Sequence, residues 1–315
     1  MTFDLFVGID WSGAKGPRLP GLQVAACDGA GRLAMIEGPW TRSGVADWLM
    51  TQVTDGKRVL CGLDFSFCFP RADRKSYFPG LEVDPANPQA FWTMLETCCA
   101  DDFDLYGGRF AETPPYNRYF HQRGTRGDLF ERRLRAAEQA TLDQGLGTPE
   151  SVFNLVGARQ VGKSSLAGMR FLLALKQHTN VAVWPFDEIE GAHLVLVETF
   201  PTAFVRMAGA GTGKVRDKAR LDRVLSYFKT CLDCHPREAA ERRDRGSILK
   251  PGAMIDMAPR LRGDDNVPKS HSDDQTDALI TAAALRHLAG EPDFWNPPSM
   301  SDMVRRTEGW TFGIL

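Results

Sequence analysis

Three apolar runs in this chain each end in a carboxylate: Asp10 closes FVGID, Asp64 closes VLCGLD and Glu198 closes LVLVE. In open α/β sheets ligands bind outside the carboxyl ends of the strands, so acids on parallel neighbours would converge at one edge. The competing explanation, that acids follow strands because loops are polar, covers any one of them more easily than all three. A fourth corner comes from HSDDQTDALITAAALRHLAG (271–290), where Asp274, Asp277, Ala278, Thr281, Leu285 and Leu288 fall on one helical stripe. Acids in a first turn favour the helix dipole, which accounts for Asp273 and Asp274. Asp277 lies a turn further in and heads the stripe that must pack on the sheet. Carboxylates forced together at a core edge repel one another and lose hydration, so they need a cation. Oxygen ligands of this kind suit Mg²⁺ or Mn²⁺. Two such ions about 3.5–4 Å apart are the arrangement used in phosphodiester cleavage.

The elements that must position these acids are partly visible. FVGID (6–10), LQVAACD (22–28) and RLAMIEG (32–38) read as strands, the last two joined by a turn at Gly29 and Gly31. Residues 43–53 have helical spacing, with Ser43 as the expected N-cap. RVLCGLDFSF (58–67) reads as a strand buried on both faces. Residues 71–180 are rich in proline, with helices expected near 88–100, 128–142 and 164–178, and form a largely helical insertion. Strand character returns at 181–186 and 193–201, and charged helices are expected over 216–231 and 236–245. The helix of 271–290 is the best bounded: Ser272 and Gln275 make a capping box, and Gly290 and Pro292 mark its end. The expected organisation is α/β, with core segments 1–70 and 181–315 around the insertion.

The order of these pieces resembles the RNase H-like fold, a mixed sheet flanked by helices, and in particular its RuvC-like nuclease branch. GIDWSG resembles the first strand of that fold, and DDQTDALI its late D-x-x-D-A-L helix. Together with LDFSFCFP, VWPF, VETFP, EGWTFG and, more weakly, QVGKSSLAGM, the set resembles an uncharacterised prokaryotic family described as predicted RNase H-fold nucleases. The resemblance spans about residues 1–70 and 180–290 plus the tail. It implies a nuclease using Mg²⁺ or Mn²⁺, with Asp10, Asp64, Asp274 and Asp277 as catalytic metal ligands and Glu198 as a fifth. RuvC-like enzymes usually carry Glu at the second acidic strand, where this chain has the shorter Asp64.

Other motifs compete. GARQVGKS (157–164) matches G-x-x-x-x-G-K-[ST], whose backbone amides and Lys cradle phosphates in nucleotide hydrolases and kinases. Asn154 interrupts the run before it, and the reading leaves the aspartates unexplained. Lys163, Ser164 and Ser165 at a helix start could still contact a substrate phosphate. CLDCH (231–235) has haem-attachment spacing but no accompanying export signal, and Cys98 with Cys99 offers poor geometry for completing a zinc site. Residues 109–135 hold seven Arg against three acids, interleaved with Tyr116, Tyr119, Phe120 and His121. Such a surface can neutralise phosphates and stack bases, which makes Arg118, His121 and Arg123, along with Ser12 beside Asp10, expected substrate contacts. Residues 206–250 hold twelve Lys/Arg against six acids, and within them 216–245 reads better as a solvated helix face.

Composition bounds the alternatives. The 315 residues are 43% hydrophobic and 25% charged with a net charge of −2, and the mean hydropathy is −0.28, an ordinary globular balance. The absence of a long apolar run excludes a membrane span. Seven unevenly spaced cysteines and the lack of a basic leader favour a reducing, cytoplasmic setting. The expected partner is nucleic acid; a non-catalytic module of the same fold and a homo-oligomer remain open.

Overall fold

The computed structural model describes residues 2–157, 160–232 and 271–315. Its first strand, β1 (Leu5–Asp10), is central. It pairs antiparallel with β2 (Gln23–Asp28), and β2 pairs antiparallel with β3 (Arg32–Ile36) through the expected turn, with Gly31 at φ 87°. Helix α1 (Arg42–Thr54) then leads to β4 (Val59–Leu63), which lies parallel to β1 on its other side. The cap of α1 is Thr41, whose hydroxyl accepts from Gly44 N; the Ser43 hydroxyl instead donates to Asp104.

The segment expected as an insertion contains α2 (Pro88–Cys99), α3 (Gly108–Glu112), the short hairpin β5 (His121–Gln122) and β6 (Thr125–Arg126), α4 (Ala136–Asp143) and α5 (Gly162–Leu175). The helix expected over 128–142 is confined to about its second half, starting at Ala136. Upstream of it, Arg133 is buried by four interactions that require irregular backbone, to Asp73 and to the carbonyls of Pro70, Ser76 and Tyr77. This segment has no core of its own. Phe91, Trp92, Leu166 and Phe171 pack in one cluster with Val7, Ile9, Cys61 and Leu63 of the sheet.

The chain then adds β7 (Val181–Val183) and β8 (Leu194–Glu198), both parallel to β4, then α6 (Pro201–Met207), α7 (Lys218–Tyr227) and β9 (Cys231–Leu232). Helix α8 (Asp273–Leu288) has the expected capping box, in which Ser272 Oγ accepts from Gln275 N and Gln275 Oε1 from Ser272 N. The strand order is β7-β8-β4-β1-β2-β3-β9. The helix expected over 236–245 lies outside the described residues. Among the described residues no helix is long and apolar enough to cross a membrane.

Alternation along β1 and β4 decides what covers each face. Val7, Ile9, Cys61 and Leu63 face the cluster with α2 and α5, whereas Phe6 and Leu60 face the one with α8. Gly8 and Gly62 are direct partners across the β1–β4 ladder and belong to the α8 face. A methyl on Gly8 would stand 2.1 Å from Ala278 O and 2.6 Å from Ala282 N, so the helix backbone rests on the strand itself. Gly8→Ala should therefore cost at least about 3 kcal/mol in urea unfolding, because two backbones must separate. Gly29→Ala, with open space around the new carbon, should change stability by less than about 0.5 kcal/mol. Similar losses in the two variants would refute this seat.

Candidate metal centre

Both paired strands carry the sequence Gly-x-Asp: Gly8-Ile9-Asp10 and Gly62-Leu63-Asp64. Because Gly8 pairs with Gly62 and Ile9 with Leu63, the next step sets Asp10 beside Asp64, on the face that α8 covers. Asp64 Oδ1 accepts from Trp11 N at 2.6 Å, which ties the end of β4 to the residue after Asp10. Helix α8 brings Asp277 to the same place, since the turn that follows it lies on Gly8.

Asp10 and Asp277 are 8% and 6% exposed, too little for water to solvate both charges. Burial holds the Asp10 carboxyl far above its ordinary range, with the neighbouring charges of Asp64 and Asp277 adding to the shift. Burial also raises Asp64, within hydrogen-bonding reach of Asp10, so the metal-free pair retains a proton. Asp277 is raised by burial too, opposed chiefly by Lys214. The Lys214 ammonium makes an ion pair with Asp277, and the charges of Asp277, Asp10 and Asp64 raise its pKa despite its partial burial.

Lys214 was not legible as a site residue. It lies in the loop between α6 and α7, where no periodicity marks it. The available signal was AGAGTGK, alternating glycines that carry a lysine. Asp274 is half-buried beside Gly21, on the same helical turn as Asp277. Asp273 points away and is paired with Arg216 at 2.8 Å.

Glu198 does not join the cluster. Its carboxylate is bound by the guanidinium of buried Arg135, accepts from Phe67 N at 2.8 Å and takes the Thr311 hydroxyl at 2.8 Å. With its lone pairs committed to this network, Glu198 is a structural anion rather than the fifth metal ligand expected. The adjacent Nε–Nη2 edge of Arg135 is held by Glu138 at 2.5 Å.

Ser12 follows Asp10 in a loop fixed by buried Arg42, which donates to the carbonyls of Ser12 and Ala14. The same loop rests on the start of α5, where a methyl on Gly13 would meet Ser164 N at 2.3 Å. Lys163 is thus close to the Asp10 loop. The Ser164 and Ser165 hydroxyls donate to Val161 O, and Ser165 Oγ also accepts from Ser66 N. Both hydroxyls expected to contact phosphate are instead engaged in fastening the helix start. Ala158 and Arg159 of the GARQVGKS motif lie outside the described residues. Among the described residues just before α5 (151–157 and 160–161) there is no strand, only a single bridge at Asn154. The strand–loop–helix context of a P-loop is therefore missing.

Arg118 is paired with Asp128 at 2.6 Å, His121 packs against the Phe130 ring, and Arg123 is exposed at the β5–β6 turn. A hollow of about 400 Å³ opens beside this hairpin, between Arg74, Tyr119, Phe130 and Phe153. It shares no residue with the carboxylates. Comparison of the chain with protein-family models, curated proteins and solved structures finds no match.

Among the described residues no three His, Cys, Asp or Glu side chains stand at ligand spacing around a common point. The donor chemistry nevertheless fits a hard divalent cation: three crowded carboxylates, two of them almost fully buried, have drawn in an ammonium group. Cys231 is exposed, Cys99 is buried with its thiol on Gly107 O, and Cys234 and His235 lie outside the described residues. The described thiols show no paired soft-ligand site.

Proposed function

We propose that the chain is an RNase H-like, metal-dependent nuclease that hydrolyses phosphodiester bonds of nucleic acid. The observation that carries this reading is the in-register pair of Gly-x-Asp strands, which sets Asp10 and Asp64 side by side with Asp277 above them. The sheet supports it. An antiparallel β1–β2–β3 unit followed by parallel β4 and β8 agrees with the topology that the resemblance implies.

In this proposal Asp10, Asp64 and Asp277 hold Mg²⁺ or Mn²⁺, with Asp274 at the rim. The bound cation would supply Lewis acidity toward a phosphate ester. The protein's own contribution is placement. The ladder fixes two carboxylates, the glycine seat fixes the third, and Arg42 fixes the loop carrying Ser12. Lys163 beside that loop and exposed Arg123 are the proposed contacts to the phosphate backbone.

Added Mn²⁺ should raise Tm by several degrees in the wild type and leave Asp10→Asn unchanged, as followed by a thermal-shift titration. Because the metal-free carboxylates sit above their ordinary range and must lose a proton to bind metal, affinity should rise from pH 6 to pH 8. An unchanged wild-type Tm across millimolar Mn²⁺ would remove the metal centre and favour a non-catalytic module.

A further inference from the structure

Lys214 occupies an uncommon place: among the described residues it is the one cation ion-paired to a carboxylate of the cluster. Its backbone does not need to move for the side chain to leave. Arg220 donates to the carbonyls of Ala210, Thr212, Gly213 and Lys214, and Val215 is buried in the core beyond them. The loop they fix has Gly209, Gly211 and Gly213 at φ 61°, 83° and 78°, conformations that L side chains rarely adopt. A rigid loop thus delivers a flexible ammonium group, whose side chain is 48% exposed while that of Asp277 is 9% exposed. Water can take up the ammonium once it swings out, but it cannot solvate the carboxylate left behind.

We propose that Lys214 is a displaceable internal counter-ion: it holds Asp277 while the centre is metal-free and yields it to an incoming divalent cation. The proposal rests on the nuclease reading for the identity of the incoming ion, Mg²⁺ or Mn²⁺. It adds a competitor that sets the metal affinity of the centre. A divalent ion brings two charges to the same oxygen atoms, so exchange is favourable at sufficient concentration. At partial saturation the lysine opposes it. The freed ammonium remains on the rigid loop, at the rim where a phosphate would approach.

The test is a Mn²⁺ titration followed by electron paramagnetic resonance, on wild type, Lys214→Met and Lys214→Arg. Lys214→Met should bind at least about tenfold tighter, because a like charge next to the ion has been removed. Lys214→Arg, which keeps the charge, should bind as the wild type does. Independently, acetylation of Lys214 in the wild type, read by peptide mass spectrometry, should increase several-fold when Mg²⁺ replaces EDTA. If Lys214→Met fails to fold, this labelling decides alone. Equal affinities and unchanged labelling would overturn the role of Lys214 while leaving the metal centre standing. No Mn²⁺ binding by any of the three proteins would overturn both and leave a permanent Lys214–Asp277 bridge.

Discussion

Replacement of Arg135 by Met is expected to cost about 3–5 kcal/mol in equilibrium urea unfolding. Arg135 is 1% exposed and is shared by Glu138 and Glu198. Removing it leaves two carboxylates buried without a countercharge, and burial already pushes Glu138 upward. Its Nη1 also donates to Glu308 O at 3.0 Å. Glu308 in turn accepts from the backbone of Arg71, Ala72 and Ala136. One guanidinium therefore joins a strand end, the helix α4 start and the C-terminal segment. Glu198→Gln should also be destabilising but should leave Mn²⁺ affinity within about twofold of wild type, because Glu198 lies outside the proposed metal cluster of Asp10, Asp64 and Asp277. Loss of Mn²⁺ binding with unchanged stability in Glu198→Gln would restore Glu198 as a ligand.

The second large effect follows from the proposed nuclease activity. Asp10→Asn and Asp277→Asn should each lower Mn²⁺-dependent cleavage by about 10²–10³-fold, the scale on which losing a preorganised electrostatic group acts. The assay is end-labelled single- and double-stranded DNA and RNA oligonucleotides, read on denaturing gels. In EDTA the Asp10→Asn variant should be more stable than wild type. The folded carboxyl is raised above its unfolded value, so at neutral pH the native state carries either a proton or an unfavourable charge, and the amide removes that penalty. A gain of about 1 kcal/mol corresponds to ~2–4 °C in Tm. Cleavage that survives both substitutions would end the nuclease reading. Cleavage lost together with metal-free stability would show that Asp10 is structural.

Local pattern made much of the fold readable. The Gly31 hairpin, the buried run ending at Asp64 and the capping box of α8 are each signalled by residues close in sequence. The Gly-x-Asp repeat was present as well, but its meaning depends on β1 and β4 being paired in register, which is a long-range fact. Glu198 ends its strand just as Asp64 does. Its partner Arg135 lies 63 residues away in an irregular stretch, so sequence alone cannot separate an anion held by arginine from one free for metal. Helix α6 follows its strand after only two residues, Thr199 and Phe200. Pro201 at its first turn was the usable signal, hidden by reading VETFP as continuous strand.

The resting of α8 on β1 also has a consequence in time. Gly8 and the carbonyl of Ala278 that covers it are 270 residues apart. At 5–20 residues per second, synthesis of the intervening chain takes on the order of 15–55 s. Throughout that interval the α8 side of β1 and of its neighbour β4 has no helix to cover it, and Gly8 and Gly62, one on each strand, leave the backbone bare of side chains there. A nascent chain in this state exposes an apolar sheet face that can associate with other chains. The same close approach that fixes the aspartates in the finished protein thus makes its birth the period of greatest exposure to aggregation.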